Sequence, residues 1–167
     1  MKPLDAARLL KHRLYVACKP AIGLRRLSKL RRQGVLIEGT PMLSATAVVQ
    51  PGARLLGHVY ANHGVLIERG ATVGPTVALG PGAVVLTTTH EMGPSTQRAG
   101  ETVVHPTVVG EGCWLGAHAV ILPGVTVAPG CVVAAGAVVT KDTAPDGLYA
   151  GVPARRVKDL PGAQSAA

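Results

Sequence analysis

His90 is the residue of this chain best suited to move a proton. It heads the polar stretch 87–102, which has turn chemistry at Gly93, Pro94, Ser95 and Gly100. A free imidazole titrates near pH 6.5, so at neutral pH it can take a proton from a hydroxyl and hand it on. No Ser or Cys triad for nucleophilic catalysis is visible; His90 is the best candidate for a general base, against the plainer role of a solvated loop histidine. A second group is cationic. Arg155, Arg156 and Lys158 cluster near the end of the chain, with Lys141 upstream, and such side chains suit phosphate. An alternative chemistry is metal binding: His63, His90, His105 and His118 are enough in number for a three-histidine zinc site shared between subunits. His118 also reads as structural, and His58, His63 and His105 as surface residues. Cys18, Cys113 and Cys131 form no CxxC pair; Cys113 and Cys131 read as small buried thiols in a reducing compartment.

These groups need a scaffold, and the sequence has a six-residue beat. In steps of six from Ile37 come Leu43, Val49, Leu55, Ala61, Ile67, Val73, Leu79 and Val85, all aliphatic. The same phase returns at Val103 and runs through Val109, Leu115, Ile121, Val127, Val133 and Val139. Four residues after most of these sits a small or β-branched residue, such as Ala53, Val59, Ala71, Thr107, Cys113 or Cys131, often preceded by glycine. Hexads of this kind predict an all-β parallel β-helix: the aliphatic residue points inward, the small one fills the corner, and three hexads close one triangular coil. Residues 35–150 would hold roughly five coils of about 18 residues each. A narrow interior disfavours rings, and the chain has no Phe, three Tyr and one Trp. A β-sandwich would instead alternate with period two and turn every 8–12 residues. The stretch 87–102 breaks the hexad yet keeps its phase, so one coil's worth of chain is expelled as a loop that starts near His90.

Net charge is +8, and its excess lies at one end. Residues 1–34 hold ten Lys or Arg against one acid, Asp5; the rest of the chain is near neutral. The apolar spacing predicts helices over 3–18 and 22–32, separated at Pro20, with Leu24, Leu27 and Leu30 on one side of the second. Two roles compete for this segment: a cap over the first coil, and a peripheral contact with anionic lipid. Scarcity of aromatics argues against a nucleic-acid partner. No apolar run is long enough to span a bilayer and no leader peptide is evident, so the expected location is the cytoplasm, with the basic segment able to reach the inner membrane face. The domain reading is 1–34 basic helical segment, 35–150 β-helix, 151–167 basic tail.

The stretches from Gly112-Cys-Trp-Leu-Gly-Ala-His to Pro123-Gly-Val, Gly136-Ala-Val-Val-Thr-Lys-Asp and Ala150-Gly-Val-Pro-Ala-Arg, in this order, resemble the hexapeptide-repeat acyltransferases. The resemblance runs from about residue 59 to 158, and is greatest to the galactoside, maltose, nodulation-factor and streptogramin or chloramphenicol acetyltransferase branch. It implies a left-handed parallel β-helix assembled as a homotrimer, with sites between subunits, acetyl-CoA as co-substrate and no metal.

Carried over residue by residue, the resemblance makes His90 the base that activates an acceptor hydroxyl for direct attack on the thioester. Tyr60 and Asn62 match an acceptor-contacting segment, and Glu91 or a backbone carbonyl is left to orient His90. Trp114, the only Trp, would lie against the pantetheine arm. Ala117, Ala135 and Thr140 would line the CoA groove, and Lys141, Arg155 and Lys158 would meet its phosphates. The hexads of Asn62 and His90 lie one coil and one face apart, so a site joining them would draw on two subunits. The expected reaction is acetyl transfer to a sugar or glycan-like small molecule. The basic, short N-terminal segment departs from the maltose and galactoside branch and shifts the expectation from a simple sugar towards a lipid-linked or cell-surface glycan. Antibiotic acetylation, a zinc carbonic anhydrase-like enzyme and a non-catalytic scaffold are the alternatives.

Overall fold

The computed structural model describes residues 20–162. The helix expected over 3–18 and residue Cys18 lie outside them. Among the described residues, helix α1 spans Pro20–Arg32 and so includes the proline expected as a break and the whole of the 22–32 helix. Lys29, Arg31 and Arg32 occupy the last turn, where cations complement the helix dipole. The helix stops in a Schellman motif: Gly34 has φ +94°, its N–H donates to Arg31 O (3.1 Å), and Val35 N–H donates to Leu30 O (3.0 Å).

Leu27, Leu30 and Val35 are buried against the first coil, whereas Leu24 is 62 % exposed. The Arg26 guanidinium donates to the carbonyls of Ser44 and Ala47, satisfying acceptors at the open end of the coils. The helix therefore caps the β-helix with its C-terminal half and leaves Leu24 and the Arg25, Lys29 and Arg32 side chains to solvent. Among the described residues, no helix is long and apolar enough to cross a membrane.

The beat becomes two-residue strands. The first three coils are β1 (Leu36–Ile37), β2 (Met42–Leu43), β3 (Val48–Val49); β4 (Arg54–Leu55), β5 (Tyr60–Ala61), β6 (Leu66–Ile67); and β7 (Thr72–Val73), β8 (Ala78–Leu79), β9 (Val84–Val85). A hairpin follows, β10 (Thr88–Met92) and β11 (Ala99–Val104). Two more coils are β12 (Val108–Val109), β13 (Trp114–Leu115), β14 (Val120–Ile121), and β15 (Thr126–Val127), β16 (Val132–Val133), β17 (Val138–Val139). Strands β18 (Gly147–Ala150) and β19 (Arg155–Asp159) close the far end. The strands stack into three flat parallel sheets: β1-β4-β7-β12-β15 on the first face, β2-β5-β8-β13-β16-β18 on the second, β3-β6-β9-β14-β17 on the third. This is the expected all-β, left-handed parallel β-helix.

Successive side chains of a strand point to opposite faces. The second residue of each strand therefore points inward, and Leu55, Ala61, Ile67, Val73, Leu79, Val85, Leu115 and Ile121 are all fully buried. Burying one such Leu or Ile is worth roughly 1.5–3 kcal/mol. The corner residues Ala53, Val59, Ala71, Val77 and Ala83 are buried with them. Cys113 and Cys131 fill two more corners, their thiols directed at the carbonyls of Ala128 (3.1 Å) and Ala144 (3.2 Å). Burial pushes the Cys113 thiol up to about 11, so it stays protonated and unreactive at neutral pH.

Register locates the excursion. Below it, partners are one 18-residue coil apart, as in Leu36↔Arg54. Across it, Thr72 pairs with Val108, Ala78 with Trp114 and Val84 with Val120, twice that separation. One coil's length has been expelled whole, as expected. Val103, however, is not a coil residue. It pairs with Thr89 in the antiparallel hairpin, and the inward beat resumes at Val109. Hexad phase cannot tell these apart, because the expelled length is itself a multiple of six.

At the far end β19 folds back antiparallel on β18. Tyr149 closes the core: its hydroxyl accepts from Ala144 N–H (2.8 Å), and Arg156 lies over its ring at 5.8 Å.

Candidate active site

The neck of the hairpin is held by side chains chosen for it. Thr87 and Thr107 are fully buried polar residues on either side of the excursion. Thr87 Oγ1 donates to Arg69 O (2.6 Å), and Thr107 Oγ1 donates to Leu86 O (2.6 Å) while accepting from Gly124 N–H (3.0 Å). His105 N–H donates to Thr87 O (2.7 Å) and ties the two legs together. Beneath them Glu68 Oε2 accepts from Thr87 N–H (2.7 Å) and Thr88 N–H (2.9 Å). Neither Glu68 nor Thr107 stood out in the sequence as a site residue. The available signal was a threonine in a corner series of alanines and valines, and an acid one coil before the break.

His90 is exposed on β10, opposite Thr102 of β11. Its Nδ1 lies 2.9 Å from Gly100 O. A carbonyl only accepts, so Nδ1 carries a hydrogen, and in the neutral ring the lone pair is then on Nε2. Of the two orienting groups left open by the sequence, the backbone carbonyl is the one in contact. Glu91 follows His90 in β10 and is exposed, at the point where the register of the hairpin shifts. Through the regular pairs, the face shared with His90 carries Thr88, Thr102 and Val104; beyond His90 the register shifts and Met92 lies opposite Ala99, with Met92 79 % and Val104 45 % exposed.

The remaining residues lie on other parts of the prism. Tyr60 and Trp114 occupy one outward column of the second face, which reads Met42, Tyr60, Ala78, Trp114, Val132 through the parallel ladder. Tyr60 is 45 % exposed and Trp114 58 %. Asn62, Ala117 and Ala135 follow strands of that face and line the edge between the second and third faces. Asn62 Oδ1 accepts from the His63 backbone N–H (2.8 Å), which leaves its NH2 group to donate outward. Among the described residues, no acceptor is found for the N–H of Ala117 or of Ala135. These are two unused donors, one coil apart, in a row.

Thr140 and Lys141 follow β17 on the edge between third and first faces, the edge from which the hairpin leaves. Lys141 and Arg155 meet in a cavity of about 300 Å³ that Val139, Asp142, Tyr149, Ala154 and Arg156 also line. Arg156 is not free for a ligand. It bonds Asp159 (2.7 Å) and the carbonyls of Ala144, Pro145 and Asp146 (2.9–3.1 Å), and belongs to the end cap. Lys158 is exposed on β19 at the end of the Trp114 column, opposite Leu148. Among the described residues, no group of three or more His, Cys, Asp or Glu is gathered as a metal site. His58 instead meets Thr40 Oγ1 (3.0 Å). His118, at φ +56°, folds its ring over Gly82, where a Cβ would stand 2.5 Å from it.

One chain thus carries two partial surfaces. The hairpin with His90 stands on one edge; Asn62, Ala117 and Ala135 stand on another.

Comparison with known proteins gives a consistent picture. A family model described as bacterial transferase hexapeptide (six repeats) matches residues 106–141. Nodulation protein L of Rhizobium meliloti is 38 % identical over 130 residues, 72 % of this chain and 71 % of that protein. Galactoside O-acetyltransferase of Escherichia coli K12 is 35 % identical over 103 residues, 60 % of this chain and 51 % of that protein. A Vibrio cholerae hexapeptide-repeat-containing acetyltransferase, solved with acetyl coenzyme A, superposes with a TM-score of 0.75 at 30 % identity, covering 83 % of this chain and 78 % of that one. The matched region spans about half the length of several of the curated relatives.

Proposed function

This chain belongs to the bacterial hexapeptide-repeat transferase family, and from that premise we propose that it moves an acetyl group from acetyl-CoA to a hydroxyl of a sugar or glycan-like acceptor. The observation that carries the reading is the Nδ1–H bond of His90 to Gly100 O, which fixes the neutral tautomer a general base needs. Nε2 takes the acceptor's hydroxyl proton as that oxygen attacks the thioester carbonyl. The carbonyl oxygen becomes an oxyanion, for which a backbone N–H is the natural partner. The intermediate then collapses, the C–S bond breaks, and the thiolate leaves with the proton returned by Nε2. The products are an acetyl ester and CoA, with no acyl-enzyme between.

The free N–H groups of Ala117 and Ala135 suit the carbonyl oxygens of the pantetheine arm, with Trp114 and Thr140 beside it. Lys141 and Arg155, already gathered around one cavity, suit the CoA phosphates, with Lys158 close along β19. Tyr60 and the outward NH2 of Asn62 suit an acceptor carrying ring and hydroxyl groups. Glu91, next to His90 in β10, suits a hydrogen bond with a hydroxyl of the acceptor. Because the two partial surfaces stand on different edges, the complete site calls for a homotrimer in which the hairpin of one subunit faces the second–third edge of the next.

The exposed Met92 and Val104 on the hairpin that carries His90 favour an acceptor with an apolar portion. The exposed cations of α1 support a contact between the N-terminal segment and anionic lipid; sedimentation with phosphatidylglycerol vesicles, abolished by Glu at Arg25, Lys29 and Arg32, tests it. Turnover of acetyl-CoA, followed by thiol release over a panel of sugars, glycolipids and antibiotics, tests the main reading. Thiol release with a sugar or glycolipid is the expected outcome. Turnover confined to antibiotics would replace the acceptor class, and none with any acceptor would remove the reading.

A further inference from the structure

We propose that Glu68 is a positioning residue for the His90 imidazole, acting through the backbone at the start of β10; this rests on His90 being the base. In the regular coils the corner amides bond the coil below: Gly52 N–H donates to Gly34 O (2.9 Å) and Gly70 N–H to Gly52 O (3.1 Å). The next residue in that series is Thr88, where the chain departs and the carbonyl ladder is interrupted, to resume when Gly124 N–H donates to His105 O (3.1 Å). Its N–H goes instead to Glu68 Oε2 (2.9 Å), which also takes Thr87 N–H (2.7 Å). A carboxylate is a stronger acceptor than the carbonyl it replaces.

Gln50, one coil earlier in the same column, does half of this work with a neutral oxygen: its Oε1 accepts Arg69 N–H (3.2 Å). The column therefore accommodates either side chain. What is special at Glu68 is that one oxygen holds two consecutive amides at the root of a strand. His90 lies two residues further, on the same face of the strand as Thr88. The imidazole is held from two sides, its own strand by Glu68 and its Nδ1–H by Gly100 O across the hairpin. Loosening the first contact lets β10 swing about its root, and small displacements of a base are costly to rate.

The experiment compares Glu68→Ala, Glu68→Asp and Glu68→Gln with His90→Ala in the full-length assembled protein. Three quantities are read: kcat, the Kd for CoA, and the NMR resonance of the His90 Nδ1–H proton. Glu68→Ala, and Glu68→Asp, whose carboxylate falls one methylene short, should lower kcat by about 10–100-fold. Both should leave the Kd for CoA unchanged and broaden the Nδ1–H resonance. Glu68→Gln should restore most of kcat and the resonance, which loss of general stability would not predict. A folded Glu68→Asp protein with wild-type kcat and an unchanged resonance overturns the proposal even if Glu68→Ala fails to fold. If His90→Ala keeps full turnover, the catalytic reading fails instead, and the resonance still reports whether Glu68 holds the ring.

Discussion

His90→Ala lowers kcat by about 10²–10⁴-fold and leaves the Kd for CoA nearly unchanged, as measured by steady-state thiol release and by calorimetry. The split follows from where the residue stands. His90 projects from a hairpin on one edge of the prism, whereas Trp114, Ala117 and Ala135 lie on the second face and its other edge. Removing the imidazole takes away the proposed acceptor of the hydroxyl proton but none of the groups proposed to hold CoA. The hairpin itself should survive, since its neck is secured by Thr87, Thr107 and Glu68, and its strands by backbone pairing. The only bond lost is Nδ1–H to Gly100 O. His90→Gln is an informative companion, since it can restore a hydrogen-bond donor towards Gly100 but has no basic lone pair of comparable strength. It should be as inactive as alanine. A fall in kcat of less than tenfold for both, with CoA affinity intact, would move the proton transfer to another group.

Gly116→Ala should damage stability and CoA binding together. A Cβ at this position would stand 2.5 Å from Ala135 N and 2.9 Å from Ala134 C and Ala135 Cα. These are backbone atoms of the coil above and cannot rotate aside. Coils spaced by a backbone ladder have no slack to absorb the overlap, so the strain falls on the ladder itself; overpacking of this kind costs about 1–3 kcal/mol. The same displacement moves the Ala117 and Ala135 N–H groups out of line, so CoA affinity should drop with the melting temperature. Gly136→Ala is the matched control. It has φ +67°, but a methyl added there would meet nothing within 4 Å, so its cost is local backbone strain without a clash. Equal melting temperatures for Gly116→Ala and wild type would mean that the coils can separate, contrary to the stacking described above.

The prism was legible because its physics is periodic. Each inward position is narrow, each admits only an aliphatic side chain, and the same demand recurs every six residues, so Leu55, Leu79 and Ile121 announce themselves. The break at His90 was legible for the same reason, as a lapse in that demand. Its inner boundary was not: the expelled length preserves phase, and Val103 carries the right side chain in the wrong place. The orienting partner of His90 is a backbone carbonyl, which has no residue identity to read. Arg156 shows the opposite limit. Its charge suggested a ligand, but only the fold reveals that four protein oxygens already surround it.

Because Val108 seats directly on Thr72, the third and fourth coils meet as they would if nothing had been spliced between them. The projection hangs from a sealed doorway and leaves the masonry on either side undisturbed. Hairpins of other lengths and chemistries should thus be exchangeable beyond a neck that keeps Thr87, His105 and Thr107, whose bonds tie the excursion to the column, which gives evolution, or an engineer, one swappable part that leaves the stacked coils as they are.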